Sequence, residues 1–385
     1  MIKKYIYLSI GERQKGAKMK MIVNGNDLSN AVMKVSKAIS VKTTNPILEG
    51  IKLSVRGDNL TLTATDMEIG IEKTIACETF MEGDIVVPGK MFAELVKKLE
   101  NENEVEFFLE EANRIKIVYG DSVVYLSALS AEDYPSLKKN LREKWINLSQ
   151  KCYKDAVNKT VFACSTDESR PILKGCLFEI KGGELKCVAL DGFRMAVAKV
   201  PLISASGDFK MIIPARALGE ISRMLEDEEG EITIVSEDNS LMVEENSTVF
   251  VSRLLEGEFI NYSQIIPTEF ITEVTVNRNA LISGLERATV VAKDSRNLIK
   301  LEIREKYVNI KANSEKGNVN ENVQIKCVGK DLDINFNSKY IVDALKASPD
   351  EYVNFKFVGE IAPAIITPFA GDDYVFLVLP IRINS

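Results

Sequence analysis

Apolar positions along this chain keep two different periods. Between residues 27 and 40 they recur three and four apart, placing Leu28, Ala31, Val32, Val35, Ala38 and Ile39 on one face behind a capping Asn26 or Asp27, the pattern of an amphipathic helix. The spacing then drops to alternation. Runs at 51–55, 60–65, 69–75 and 84–87 read as strands, the first two joined by the turn residues Gly57-Asp58-Asn59. A second helical stretch follows at 91–99, and runs at 105–109, 115–119 and 123–129 complete the series. The order returns twice, with helices at 153–163 and 217–225 and again at 279–292 and 339–347, and strands such as 176–180, 185–189, 232–235, 300–304, 308–312 and 353–358 between them. Each round therefore holds two helices and about seven or eight strands, an α+β arrangement with both helices on one side of antiparallel sheet.

The rounds also share words. Pro46-Ile47-Leu48-Glu49-Gly50 and Pro171-Ile172-Leu173-Lys174-Gly175 lie 125 residues apart, as do Ala64-Thr65-Asp66 and Ala189-Leu190-Asp191. Val87-Pro88-Gly89-Lys90, with Leu95 and Leu99, returns 126 residues later as Ile213-Pro214-Ala215-Arg216, with Ile221 and Leu225. The last third carries a fainter copy: Ser295-Arg296 follows Ser169-Arg170 by 126, and Asn337-Ser338-Lys339 with Ala344-Leu345-Lys346 echoes the helix near Pro88. Such a period exceeds the ~20 to 50 residues of solenoid repeats and is the size of a domain. Links near 143–145 and 267–270 set the expected domains at 19–144, 145–268 and 269–385. Residues 1–18 stand before them as an extension, either a disordered tail or the product of a misplaced start codon. The copies leave no room for a separate catalytic domain.

Composition narrows the function. A chain of 385 residues with 45% hydrophobic and 27% charged content can bury three cores of ~100 to 150 residues each. Its six cysteines form no CxxC pair and mostly sit in apolar runs, which fits free thiols in a reducing cytosol. No apolar stretch approaches the ~18 residues of a membrane span, and the first 18 residues lack the apolar core of a leader peptide. There is no histidine, which removes Ser-His-Asp and Cys-His nucleophile systems and His-containing zinc sites. GxxxxGK[ST] and helix-opening GxGxxG phosphate loops are absent. Asp372-Asp373 and Asp66 with Glu68 read as turns and strand ends, so neither a metal nor another cofactor is expected.

Taken together, residues 28–40, Pro46-Ile47-Leu48, Ala64-Thr65-Asp66-Met67-Glu68, Val87-Pro88, Asp133-Tyr134-Pro135, Ala189-Leu190-Asp191-Gly192-Phe193-Arg194-Met195-Ala196, Glu258-Phe259-Ile260-Asn261-Tyr262 and Leu379-Pro380-Ile381-Arg382 resemble the bacterial sliding clamps, the beta subunits of DNA polymerase III. The resemblance covers the chain from Met19 onward. It implies a non-catalytic processivity factor in the cytoplasm, a head-to-tail homodimer closed into a six-domain ring around double-stranded DNA. Twelve helices about 9 Å apart give a circle of roughly 108 Å perimeter and 34 Å diameter, hence a hole of about 24 Å once helix radii are removed. A duplex passes through such a hole, held by loose, sequence-independent phosphate contacts.

The same resemblance assigns sites. A hydrophobic cleft between the second and third domains would receive short linear peptides from the polymerase alpha subunit, the clamp loader, other polymerases and repair proteins. Leu173, Leu190, Gly192, Phe193, Arg194 and Met195 match one wall, Ile260, Gln264 and Ile265 another, and Pro363, Leu377, Leu379, Pro380 and Ile381 the last. Each buried peptide Leu or Phe contributes ~1.5 to 3 kcal/mol, which ordering costs reduce to an exchangeable, micromolar affinity. Phe193 and Leu190 replace a frequent His and Thr of the family, making this cleft more apolar. Lys42, Lys90 and Arg216 match DNA-contacting positions, and Val124, Leu126, Val290 and Val291 match the dimer interface. Ordinary core packing remains an equal reading of those four valines and leucines. The net charge of −7 runs against a DNA-binding surface, although the expected helices carry Lys34, Lys37, Lys97, Lys98, Lys154, Lys159, Arg223, Arg287 and Lys346. Two other classes stay open: an enzyme on a triplicated scaffold, and a peptide-displaying scaffold that never meets DNA.

Overall fold

The computed structural model describes residues 18–41, 43–110, 113–139, 141–225 and 229–382. Among them are six α-helices, α1 (Gly25–Val35), α2 (Gly89–Val96), α3 (Gln150–Thr160), α4 (Ala215–Met224), α5 (Arg278–Ala292) and α6 (Ser338–Ala347). They pack in pairs, α1 with α2, α3 with α4 and α5 with α6. The first helix of each pair starts at a polar cap. Asn24 accepts the Asn26 N–H at 3.0 Å, Ser149 that of Cys152 at 3.1 Å and Asn277 that of Ala280 at 3.0 Å. Each cap satisfies helix-end donors and contributes about 1 kcal/mol.

Contacts divide the chain into two units, Met1–Glu143 with Thr233–Arg253, and Lys144–Ile232 with Leu254–Ser385. In the first unit, an antiparallel sheet runs in the order Glu78–Met81, Met19–Val23, Val105–Glu110, Arg114–Tyr119, Ser122–Ser127. In another, Ser240–Glu245, Thr248–Arg253, Ile69–Ala76, Asn59–Thr65, Gly50–Arg56 and Gly83–Pro88 lie side by side. Helix α1 buries Leu28, Ala31, Val32 and Val35 against this sheet and α2. The central repeat's hairpin joins the first unit because Thr248–Arg253 pairs with Ile69–Ala76, setting buried Phe250 opposite Ile71.

The second unit carries a twelve-stranded sheet. Its two repeats are joined by the pairing of Arg194–Pro201 from the central repeat with Tyr374–Val378 from the third, the fourth and fifth strands in order, in the register Met195↔Leu377 and Val197↔Val375. Helix α3 packs on Glu184–Leu190 and Arg194–Pro201, and α5 on Tyr307–Ser314 and Gly317–Gly329. Four of the six cysteines, Cys77, Cys164, Cys176 and Cys187, are buried as free thiols, and burial pushes the Cys176 thiol far above the ordinary range.

The α+β architecture, with three tandem copies, is as the residue pattern predicts, but several boundaries move. Helix α1 stops at Val35 and a 3₁₀ turn, Ser36–Ala38, takes over where the Ser36 hydroxyl donates back to the Val32 carbonyl at 2.6 Å. Thr160 does the same to Ala156 at 2.7 Å, ending α3 before the 3₁₀ turn Val161–Ala163. Strands Met19–Val23, Glu78–Met81, Lys144–Ser149 and the long Gly317–Gly329 were not signalled by alternation. The extension at residues 1–18 lies, apart from Lys18, outside the described residues.

Equivalent turns precede the two inter-repeat strands. Asp66 accepts the N–H groups of Glu68 and Ile69 at 3.0 and 2.9 Å, and Asp191 those of Phe193 and Arg194 at 2.8 and 3.0 Å. Both turns need a left-handed residue. Gly192 has φ +94°, but Met67 holds φ +75° with a side chain attached, a conformation costing about 1 to 2 kcal/mol for an L-residue. Met67→Gly is expected to stabilise the protein by about 1 kcal/mol despite the added chain entropy. A urea midpoint that stays put or falls would show that Met67 is not strained.

Candidate functional site at the junction of the central and third repeats

The residues expected to form a cleft converge on the pairing of Arg194–Pro201 with Tyr374–Val378. Leu173, Leu190, Met195 and Leu377 are buried together with Leu177, Val188, Val197, Ile212 and Ile365, and half-buried Leu379 packs on the group. They form the floor of the candidate site. Leu173 arrives on the 3₁₀ turn Pro171–Lys174, Leu190 ends the strand Glu184–Leu190, and Leu377 comes from the partner strand. The terminal wall is fixed by main-chain bonds: Leu379 N–H donates to Phe193 O at 2.8 Å and Ile381 N–H to Asn335 O at 2.8 Å, with Pro380 and Ile381 half-buried. Pro363 is half-buried just before the strand Ala364–Pro368.

The segment 259–266 approaches this floor through residues other than those expected. Phe259, Tyr262 and Ile266 pack on the buried group, whereas Ile260, Gln264 and Ile265 are exposed. The Tyr262 hydroxyl donates to Glu179 at 2.5 Å, and Lys210 pairs with the same carboxylate at 2.6 Å. Lys210 first, and then Tyr262, hold Glu179 below the usual carboxylate range. Burial, reinforced by Glu179, pushes the Tyr262 phenol well above its own.

At the rim, Gly192 supplies the turn and Phe193 leaves 58% of its surface exposed. Its ring stacks on Tyr340 of α6, with centroids 6.1 Å apart and planes 19° apart. Arg194 meets the same helix from a buried position. Only 12% of its side chain is exposed; Nε donates to Asp191 at 3.0 Å and Nη1 to Asp343 of α6 at 2.6 Å. The guanidinium also lies 4.8 Å from the Tyr340 ring centroid and 5.4 Å from that of Phe162. Arg194 therefore ties the two repeats together. Phe162, Tyr340 and Asp343 were not anticipated, since nothing in the order of the chain connects them to Arg194, from which Asp343 lies 149 positions away.

The expected cations and interface residues fall elsewhere. Lys90 on α2 and Arg216 on α4 are exposed, while Lys42 lies outside the described residues. Some helix-borne cations are neutralised locally: Arg223 by Glu220 at 2.6 Å, Arg287 by Glu321 at 2.7 Å and Lys346 by Glu286 at 2.7 Å. In the strand Ser122–Ser127, Leu126 is buried opposite Ile115 and Val124 half-buried opposite Ile117, whereas Val123 and Tyr125 are exposed. Leu126 thus belongs to the first repeat's own core. On α5, Val290 is 77% exposed and Val291 half-buried. Asp66 braces a turn and Asp372 pairs with Lys199.

Comparison with known proteins gives one answer. Models of the DNA polymerase III beta subunit match in series: its N-terminal domain over residues 19–138, its central domain over 147–261 and its C-terminal domain over 263–382. The beta sliding clamp of Halalkalibacterium halodurans is 35% identical over 379 residues, spanning 94% of this chain and 100% of that protein. The beta sliding clamp of Staphylococcus aureus strain N315 is 36% identical over 357 residues, spanning 90% and 94%. The crystal structure of the Bacillus subtilis DNA polymerase sliding clamp aligns with a TM-score of 0.91 at 32% identity, covering 95% of this chain and 100% of that one. With three domain models in tandem and relatives matched over nearly their whole length, the chain belongs to the DNA polymerase III beta subunit family, the bacterial beta sliding clamps.

Proposed function

We propose that this clamp works as a homodimer of three-domain protomers (19–144, 145–268 and 269–385), closed head to tail into a six-domain ring that encircles duplex DNA. It tethers DNA polymerase III and performs no chemistry itself. The observation that carries this reading is the repetition of one helix pair on antiparallel sheet three times, in a chain that matches beta sliding clamps along their length. Residues 1–18 stand outside the repeated unit. The cytoplasm is the expected compartment; among the described residues no helix is long and apolar enough to cross a membrane.

Two open sheet edges support ring closure. Ser122–Ser127 is the last strand of its sheet. In Gly317–Gly329, residues 325–329 pair with Thr272–Asn277, while 317–324 pair only with Tyr307–Ser314 among the described residues. Edges of this kind are templates for strands of another chain. Val290 lies on the helix packed against the second edge, so an apolar contact accompanies the main-chain ladder. Val124, Leu126 and Val291 would support it from behind.

Lys90 and Arg216, with Lys42, are the proposed phosphate contacts on the helix side. The cleft at the central–third junction is the proposed dock for linear motifs of the polymerase alpha subunit, the clamp loader, other polymerases and repair proteins. Phe193, Ile260, Gln264, Ile265, Pro363, Pro380 and Ile381 offer accessible or half-accessible surface there, over the floor of Leu173, Leu190, Met195, Leu377 and Leu379. Arg194 and Gly192 hold its rim.

Three outcomes follow. Protein loaded onto nicked circular DNA is retained through gel filtration and lost once the circle is linearised; equal retention on both forms would replace encirclement with surface binding. Leu379→Ala weakens a polymerase-derived peptide about tenfold and leaves the dimer intact; unaltered fluorescence anisotropy would remove the terminal wall from the site. Val290→Asp, at a position exposed within the chain, yields monomers by multi-angle light scattering, and a persistent dimer would relocate the interface.

A further inference from the structure

The chain builds the same strand junction twice and covers it differently. In the first, Gly70 of Ile69–Ala76 faces Val251; in the second, Met195 of Arg194–Pro201 faces Leu377, 125 and 126 residues further on. The main-chain bond at the edge also repeats, Arg253 N–H to Glu68 O at 2.9 Å and Leu379 N–H to Phe193 O at 2.8 Å. Both are preceded by the Asp-braced turns already described. The backbones are equivalent.

The linker after each repeat is where they part. At the first junction Leu137 lies directly over Gly70: a Cβ at Gly70 would fall 2.4 Å from Leu137 Cδ2. The linker's own leucine fills the space of a strand side chain. Tyr262 is the residue 125 positions beyond Leu137, and it is anchored instead to the neighbouring strand Gly175–Lys181 through Glu179 at 2.5 Å, with Lys210 fixing that carboxylate from the other side at 2.6 Å. Its ring packs on the buried floor with its hydroxyl turned to Glu179. The first repeat cannot make this contact, because Leu137 has no hydroxyl and Ser54 stands in the place of Glu179.

We propose that the Tyr262–Glu179 hydrogen bond is a latch: it holds the linker around 256–266 to one side of the central–third junction and keeps that groove open to an apolar peptide. At the first junction, which lacks the latch, Leu137 occupies the groove in cis. Tyr262 and Glu179 are positioning residues. The inference rests on the cleft reading above.

The test uses the full-length dimer and a labelled, leucine- and phenylalanine-containing decapeptide from the DNA polymerase III alpha subunit, followed by fluorescence anisotropy. Tyr262→Phe and Glu179→Ala should each weaken binding about fivefold, the equivalent of one net hydrogen bond, with melting temperature and dimer mass unchanged. Glu179→Gln keeps an oxygen acceptor and should restore wild-type affinity. Wild-type binding by Tyr262→Phe and Glu179→Ala would overturn the latch, as would an equal loss in Glu179→Gln. Two peptides per chain by native mass spectrometry would overturn the closure by Leu137. Absence of binding by the unaltered protein, or Leu379→Ala binding as tightly as it, would instead sink the cleft assignment itself.

Discussion

Antiparallel strand pairing between successive repeats is the constraint on which the rest of this structure depends. The ladder from Arg194–Pro201 to Tyr374–Val378 fixes the spacing between the central and third repeats by backbone hydrogen bonds, whatever the side chains happen to be. Because side chains alternate across a sheet, slipping the pairing by one residue would invert every one of them. Register therefore decides which side chains meet here. Met195 turns to the apolar floor with Leu377, and its neighbour Arg194 turns to the helix side, where it meets Asp343, Tyr340 and Phe162.

That alternation separates two jobs within two residues. Met195 belongs to the buried apolar floor, whereas Arg194 gives one hydrogen bond to its own turn and one to α6 of the third repeat. A nearly buried arginine with two carboxylates adds little net stability, since desolvation offsets much of the attraction, but removing one partner leaves an uncompensated charge. Its larger effect is geometric: a planar fork held by Asp191 and Asp343, between two aromatic rings, fixes the orientation of α6 beside the groove. Phe193, stacked on Tyr340, carries that order out to the rim.

Periodicity exposed the helices, most strands and the threefold order, because those depend on local spacing. It extended α1 and α3 too far, since Ala38 and Ala163 stay buried after each helix has tightened into a 3₁₀ turn. Burial alone does not reveal the hydroxyl back-bonds of Ser36 and Thr160 that mark the change. The strand Gly317–Gly329 was invisible for the opposite reason: Asn318, Asn320 and Asn322 are poor strand formers, and pairing with Tyr307–Ser314, aided by Asn309 bonded to Asn322 at 2.8 Å, overrides them. At the candidate site, the turn Asp191-Gly192-Phe193-Arg194 could be read from its residues and resemblance. Its partners could not, because Phe162 and Glu179 come close only through the tertiary fold of the central repeat, and Tyr340 and Asp343 only when sheets from two repeats are joined. Within 259–266 the choice between Ile260 and Phe259, or Ile265 and Ile266, turns on a 3₁₀ turn at Tyr262–Gln264 that no apolar pattern specifies.

The charge balance bears on how such a protein can hold nucleic acid at all. A net charge of −7 repels a polyanion at long range, and ion pairs such as Arg287–Glu321 and Lys346–Glu286 reduce what the helices offer at short range. Adhesion strong enough for processive synthesis would need many phosphate contacts, each making binding more sensitive to salt and sliding slower. A closed ring removes that requirement, because topology prevents escape while individual contacts stay weak. An acidic chain whose helical cations are partly neutralised thus fits the proposed enclosure of DNA better than a tight grip on it.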